Sequence, residues 1–271
     1  MDRLKRFAAV LILALWALPA FGQENPYFID WVNMRLVVSG TGDGSSVSSE
    51  NAMERQYAAT LTAEQDLTRN FIGSMTRLRI NGYDTAAGVL KMKIEKNAPL
   101  LMYLRKSRSR VVSYDEDKIT ITQSFPFFGT EGFMHILCDP GEDTGHFFRY
   151  GGYDYSVSFS GLVIDARGLD RVPAAMPRIF DDDHNLVFSA DIMEKDAFHA
   201  RGAVQYVTDP YYRGFEDRVG GNALHIVAVK NDKLLQSDLS ISDADARILL
   251  ADDATRENLL KGRVIIIIDS L

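Results

Sequence analysis

Four groups of residues in this chain could do chemistry. Arg105, Lys106, Arg108 and Arg110 form the one basic run in an acidic sequence. In an extended segment Lys106, Arg108 and Arg110 would share one face and Ser107 and Ser109 the other, giving a strip suited to anionic headgroups, cell-wall polymer or an acidic partner. A solvated strand face, or an edge guarded from aggregation by charge, is the plainer use of that pattern and outweighs it. His135, Cys138 and His146, with Asp139 between them, could gather a metal, but the spacing H-x2-C-x7-H specifies no fourth ligand. A lone cysteine in an apolar stretch is ordinarily a small buried hydrophobe.

Asp181-Asp182-Asp183-His184-Asn185 is the densest acidic cluster. It stands between Pro177–Phe180 and Leu186–Phe188, two strand-like arms, where Asp and Asn are what a hairpin turn requires. Calcium would need about six oxygens, more than the turn offers. Gly40-Thr41-Gly42-Asp43-Gly44 lacks the lysine of a phosphate-binding loop and is expected to be a connecting turn. No serine sits in a nucleophile elbow, there is no His-Glu-x-x-His, and the five histidines are scattered. The residues therefore name no catalytic group, no metal and no cofactor, and the chain is expected to be non-enzymatic.

The elements that must hold these groups are readable in part. Trp31–Ser39 reads as a strand ending in the glycine-rich turn. Met53, Tyr57, Leu61, Leu67, Phe71, Met75 and Leu78 recur as one stripe of an amphipathic helix over about 49–78, with Ser49 as N-cap and Glu50 in the first turn. A shorter helix is predicted at about 84–95, opened by Asp84, after which Pro99 should break the chain. Val111–Tyr114 and Lys118–Phe125 read as a hairpin around Asp115-Glu116-Asp117. The long helix should lie across this small antiparallel sheet.

Residues 139–153 have no period and are expected to be a packed linker between two halves. Beyond it Tyr155–Ser160 alternates, then breaks at Gly161 into the apolar run Leu162-Val163-Ile164. Ala223–Val229 and Val264–Ile268, apolar at nearly every position, read as central strands covered on both faces. Ser242-Asp243-Ala244-Asp245 should open a helix over about 242–251. The fold class expected is α+β, as two small domains (23–138 and 154–271), each a mostly antiparallel or mixed sheet with one or two packed helices.

Residues 1–22 have the form of an export signal. Arg3, Lys5 and Arg6 precede the apolar run Phe7–Leu18, and Ala20-Phe21-Gly22 offers a small-x-small cleavage site. The run is shorter than the roughly 20 residues that span a bilayer. Cleavage would take the formal charge from −7 to −9 by removing three basic residues and one acid, which argues against nucleic-acid binding. The expected product is periplasmic or secreted, soluble, without a transmembrane helix. With one cysteine it has no internal disulfide.

Several segments, in order, resemble a family of exported bacterial proteins related to small outer-membrane lipoproteins and to flagellar proteins P and T, which build rings or disks around the motor. They are Ser160–Leu169, Pro173–Asp183, Asp217–Leu224, Ser240–Ala246 and Arg263–Asp269, with a looser likeness at Gly40-Thr41-Gly42 and at Ile119–Thr122 leading to Pro126–Gly132. The resemblance implies an envelope protein that assembles with other envelope proteins or its own copies, and brings no activity. The lipid-bearing cysteine of many relatives is missing, and His184-Asn185 replaces an Asp-Gly-like turn. The function expected is assembly, at the flagellar basal body or another envelope structure. One rival is a binding module for cell-wall polymer or a small ligand, using Arg105–Arg110 and Phe127–Phe133 and making peripheral contact with wall or membrane surface. The other is an exported hydrolase using Asp181, Asp183 and His184.

Overall fold

A computed structural model describes residues 25–107, 110–138, 140, 147, 148, 150 and 157–270. The leader expected at 1–22, most of the linker expected at 139–153, His146 and Arg108 lie outside them. The chain is α+β. Four antiparallel strands, β1 (Tyr27–Asp30), β2 (Arg35–Asp43), β3 (Arg110–Asp115) and β4 (Lys118–Pro126), form a sheet in the order β1-β2-β4-β3. The hairpin forms as its sequence predicts: Asp115 pairs with Lys118 across the turn, where Glu116 takes a positive φ of 52°. Ile119, Ile121, Gln123 and Phe125 point alternately to the buried face.

The long helix, α1 (Ala52–Ser74), lies across that face. Its cap is Asn51, whose side chain accepts from the Met53 N–H at 3.0 Å; Ser49 stands outside and donates to Glu54 at 2.6 Å. Gly40–Asp43 is strand, not the expected turn, which begins only at the 3-10 turn Gly44–Ser46, and the reason is the helix above it. A Cβ added at Gly40 would lie 2.3 Å from the Ala63 carbonyl oxygen, at Gly42 1.9 Å from that of Ala59, and at Gly44 2.4 Å from that of Arg55. Two strand residues advance about 6.7 Å and four helix residues about 6 Å, so glycines two apart match helix residues four apart. Strand backbone and helix backbone touch because neither carries bulk between them.

Two shorter helices follow, α2 (Ala86–Met92), capped by Thr85, and α3 (Asn97–Lys106). Pro99 does not break the chain. It stands in the first turn of α3, where the proline's missing N–H has no intrahelical partner to lose. A single turn, α4 (Met134–Leu137), ends this half.

The second half holds β5 (Leu162–Asp165), β6 (Ile179–Phe180), β7 (Leu186–Phe188), α5 (Lys195–Arg201), β8 (Gln205–Val207), α6 (Phe215–Val219), β9 (Leu224–Val227), β10 (Leu239–Ser240), α7 (Asp243–Leu250), α8 (Asp253–Leu260) and β11 (Val264–Ile267). Its larger sheet is wholly parallel, in the order β8-β11-β5-β9; a smaller sheet, β10-β6-β7, is mixed. The central position of β11 follows from its sequence. Val264 and Ile266 join the main core, while Ile265 and Ile267 pack with Val163, Val207 and Val219 on the other face under α6. The run at 223–229 is not central: β9 is an edge strand, with Val227 68% exposed. The strand expected before Gly161 is absent at Val157–Ser160 and begins at Leu162; Tyr155 and Ser156 lie outside the described residues. Ser242 caps α7 reciprocally, accepting from the Asp245 N–H at 3.1 Å and donating to its carboxylate at 2.7 Å.

The main core runs through both halves. Trp31 meets Phe127 edge-on at 5.4 Å and Tyr206 at 6.0 Å between ring centres. Backbone bonds cross the same seam, from Gly129 N–H to the His199 carbonyl (2.9 Å) and from Met176 N–H to that of Ile80 (2.7 Å).

Candidate functional site

The basic run does not form the one-faced strip that an extended segment would give. Arg105 and Lys106 occupy the last turn of α3, where positive charge suits the helix dipole. Arg108 lies outside the described residues, and Arg110 opens β3 paired with Glu64 at 3.1 Å. Phe127 and Phe133 are fully buried, and Phe128 packs edge-on against Phe198 at 5.4 Å. The aromatic stretch therefore builds the seam between the halves and is not a contact surface.

The acidic cluster is the β6–β7 turn. Asp181 is fully buried and accepts from Asn185 N–H (2.7 Å), Asn185 Nδ2 (2.8 Å) and the Tyr150 hydroxyl (2.6 Å). Burial pushes its carboxyl up, but the bonds from Tyr150 and Asn185 outweigh that and leave it below the usual carboxylate range. Burial and the bond to Asp181 together raise the Tyr150 hydroxyl. His184 sits at φ 66°, its ring against the Asp182 carbonyl at 3.3 Å. These contacts lock a turn, and a locked, buried carboxylate is poorly placed to activate water. Among the described residues no three His, Cys, Asp or Glu side chains gather as a metal site. His135 lies beside His199, ring centres 6.0 Å apart, and Cys138 is buried, its thiol donating to the Met134 carbonyl at 3.2 Å.

The feature with the clearest capacity for function is one the sequence pattern hides. Of the stripe expected to face the core, only the second part does so: Leu67, Phe71, Met75 and Leu78 are buried, alongside Ala59 and Ala63. Met53 (78% exposed), Tyr57 (67%) and Leu61 (42%) point to solvent. They stand two positions before Arg55, Ala59 and Ala63, about 200° around the helix, on the side away from the sheet. The first half of α1 is thus turned inside out, with small residues inward and large apolar ones outward. The signal available in sequence was the glycine ladder at 40, 42 and 44, which brings the helix backbone close at Ala63, Ala59 and Arg55.

Among the described residues the sheet beneath α1 is open along β3. Val111 and Tyr114 are each 63% exposed, and the strand has its one hydrogen-bonded neighbour among those residues in β4. An unpaired edge offers backbone donors and acceptors to an added strand.

Among the described residues no helix is long and apolar enough to cross a membrane. Residues 161–270, from the glycine before β5 to beyond β11, match the family model of the second domain of Treponema pallidum Tp0624, to which the chain is similar over that stretch. No curated protein matches the chain.

Proposed function

We propose that this chain works by assembly, as an exported, non-enzymatic component of the cell envelope joined to other envelope proteins or to its own copies, at the flagellar basal body or another envelope structure. The observation that carries the reading is the outward stripe Met53–Tyr57–Leu61, whose apolar area a partner would cover. The open β3 edge adds a second means of contact. The leader-like start of the sequence and its resemblance to ring-forming and lipoprotein relatives support the same reading.

The test is a photo-activated cross-linker placed at Tyr57 in cells of the native host. Adducts of defined mass in envelope extracts are expected. The double variant Tyr57→Asp, Leu61→Lys should disperse the complex while leaving stability within about 0.5 kcal/mol, as for exposed sites in general. A chain that sediments as a monomer from envelope extracts, or a complex that survives the double variant, refutes assembly through this face.

A further inference from the structure

Where the two halves meet, the turn after β1, the end of β4 and residues 201–205 border an open cleft of about 350 Å³. Its charged groups are two guanidinium ions, Arg201 at the end of α5 and Arg218 in α6; Asn33 and Gln205 add amides, Met34 and Phe128 apolar wall. Arg218 is only 7% exposed. It donates through Nη1 to the Arg201 carbonyl (2.8 Å) and through Nη2 to that of Gly202 (2.9 Å), while its Nε has no acceptor among the described residues. Neither arginine forms an ion pair among the described residues. Burial, with the like charge of Arg201, brings the Arg218 guanidinium down to about 9.

Clamping two carbonyls at a helix end needs donors but not a full charge, and a neutral amide would supply them. A buried cation without a carboxylate is costly, and a second cation beside it makes it more so. In a chain whose formal charge is −7, two neighbouring arginines that form no ion pair among the described residues, beside an apolar wall, are a receptor for negative charge. The volume is that of a small-molecule site, for which about 300 Å³ is the lower bound.

We propose that this cleft binds a small organic oxyanion, a carboxylate or phosphate monoester carrying an apolar group, with Arg201 and Arg218 facing the oxyanion and Met34 and Phe128 the apolar part. The site is separate from the assembly face and does not depend on it.

Calorimetric titration of the full chain with phenyl phosphate, hexanoate and neutral 1-hexanol, at fixed ionic strength, tests the proposal. Saturable one-to-one binding of at least one anion is expected, and none of hexanol; the tighter anion identifies the headgroup. Arg201 is exposed and holds no element in place, so Arg201→Gln should fold and bind about tenfold more weakly, the loss of one charge-assisted hydrogen bond. Arg218→Ala would also remove the clamp on α5, so the decisive variant is Arg201→Gln. No saturable binding of either anion, hexanol binding as tightly as the anions, or equal affinity in Arg201→Gln overturns the proposal.

Discussion

Placing a methyl group on Gly42 should separate the first sheet from its helix. The new Cβ would lie 1.9 Å from the Ala59 carbonyl oxygen and 2.7 Å from the Ala63 nitrogen, where ordinary contact begins at 3.4 Å. The shortfall is roughly 1.5 Å and both obstructing atoms are backbone, so no rotamer change relieves it. The helix must move bodily, which opens gaps beneath Leu67 and between Phe71 and Phe125, now 4.7 Å apart between ring centres. Overpacking typically costs about 1–3 kcal/mol, and an unyielding backbone contact puts Gly42→Ala at the upper end, about 3 kcal/mol. Against a total stability of about 5–15 kcal/mol this is readily measured as a lower urea midpoint by circular dichroism. Because the clash is with main-chain atoms, Ala59→Gly should not rescue it. A loss under about 1 kcal/mol, or recovery in the double variant, would refute the account of strand and helix in backbone contact.

Gly73→Ala, in the same helix with no atom within 4 Å of the new Cβ, should instead stabilise by about 0.5–1 kcal/mol in the same urea assay. Asp238 is fully buried and takes Arg178 at 2.5 Å; Asp238→Ala should cost about 3 kcal/mol by leaving that guanidinium without its partner, read as a fall in melting temperature. The depressed Asp181 carboxyl contributes stability that is present above its unfolded value, about 4, and is lost as pH falls through the folded value. Asp181→Asn should therefore flatten the decline of stability between about pH 5 and 3, measured as urea midpoints across that range. The raised Tyr150 hydroxyl works in the other direction: its contribution is whole below about pH 10 and lost as pH rises through the folded value, so Tyr150→Phe should lessen alkaline loss of stability.

The parts of the fold legible in sequence were those whose local and tertiary roles agree. The β3–β4 hairpin announces itself by alternation and by Asp115–Asp117, and α7 by its reciprocal Ser242–Asp245 cap. Val264–Ile267 reads as central because both faces of the strand are covered. Where the two roles part, the sequence misleads. Glycine at 40, 42 and 44 suggests a turn, yet its use here is to let a helix approach, which depends on residues about twenty positions away. The same packing decides that alanines, not Met53, Tyr57 and Leu61, face inward, so the candidate assembly face is visible in the sequence as apolar residues while the side it faces is not. Pro99 suggests a break because its position relative to the helix start is invisible until that start is known. The cleft arginines lie 17 residues apart on two short helices, with no periodicity to link them.

Trp31 stands at the junction of the halves, between Phe127 and Tyr206 and only 7% exposed. The chain's other tryptophan, Trp16, falls in the apolar run at the start of the sequence, so in a variant that begins after that run, or with Trp16→Phe, a single indole reports from the seam alone. Its emission would redden when water reaches the junction, whether or not either sheet had lost its backbone pairing. The molecule thus carries a built-in optical gauge that distinguishes parting of the two halves from melting of each.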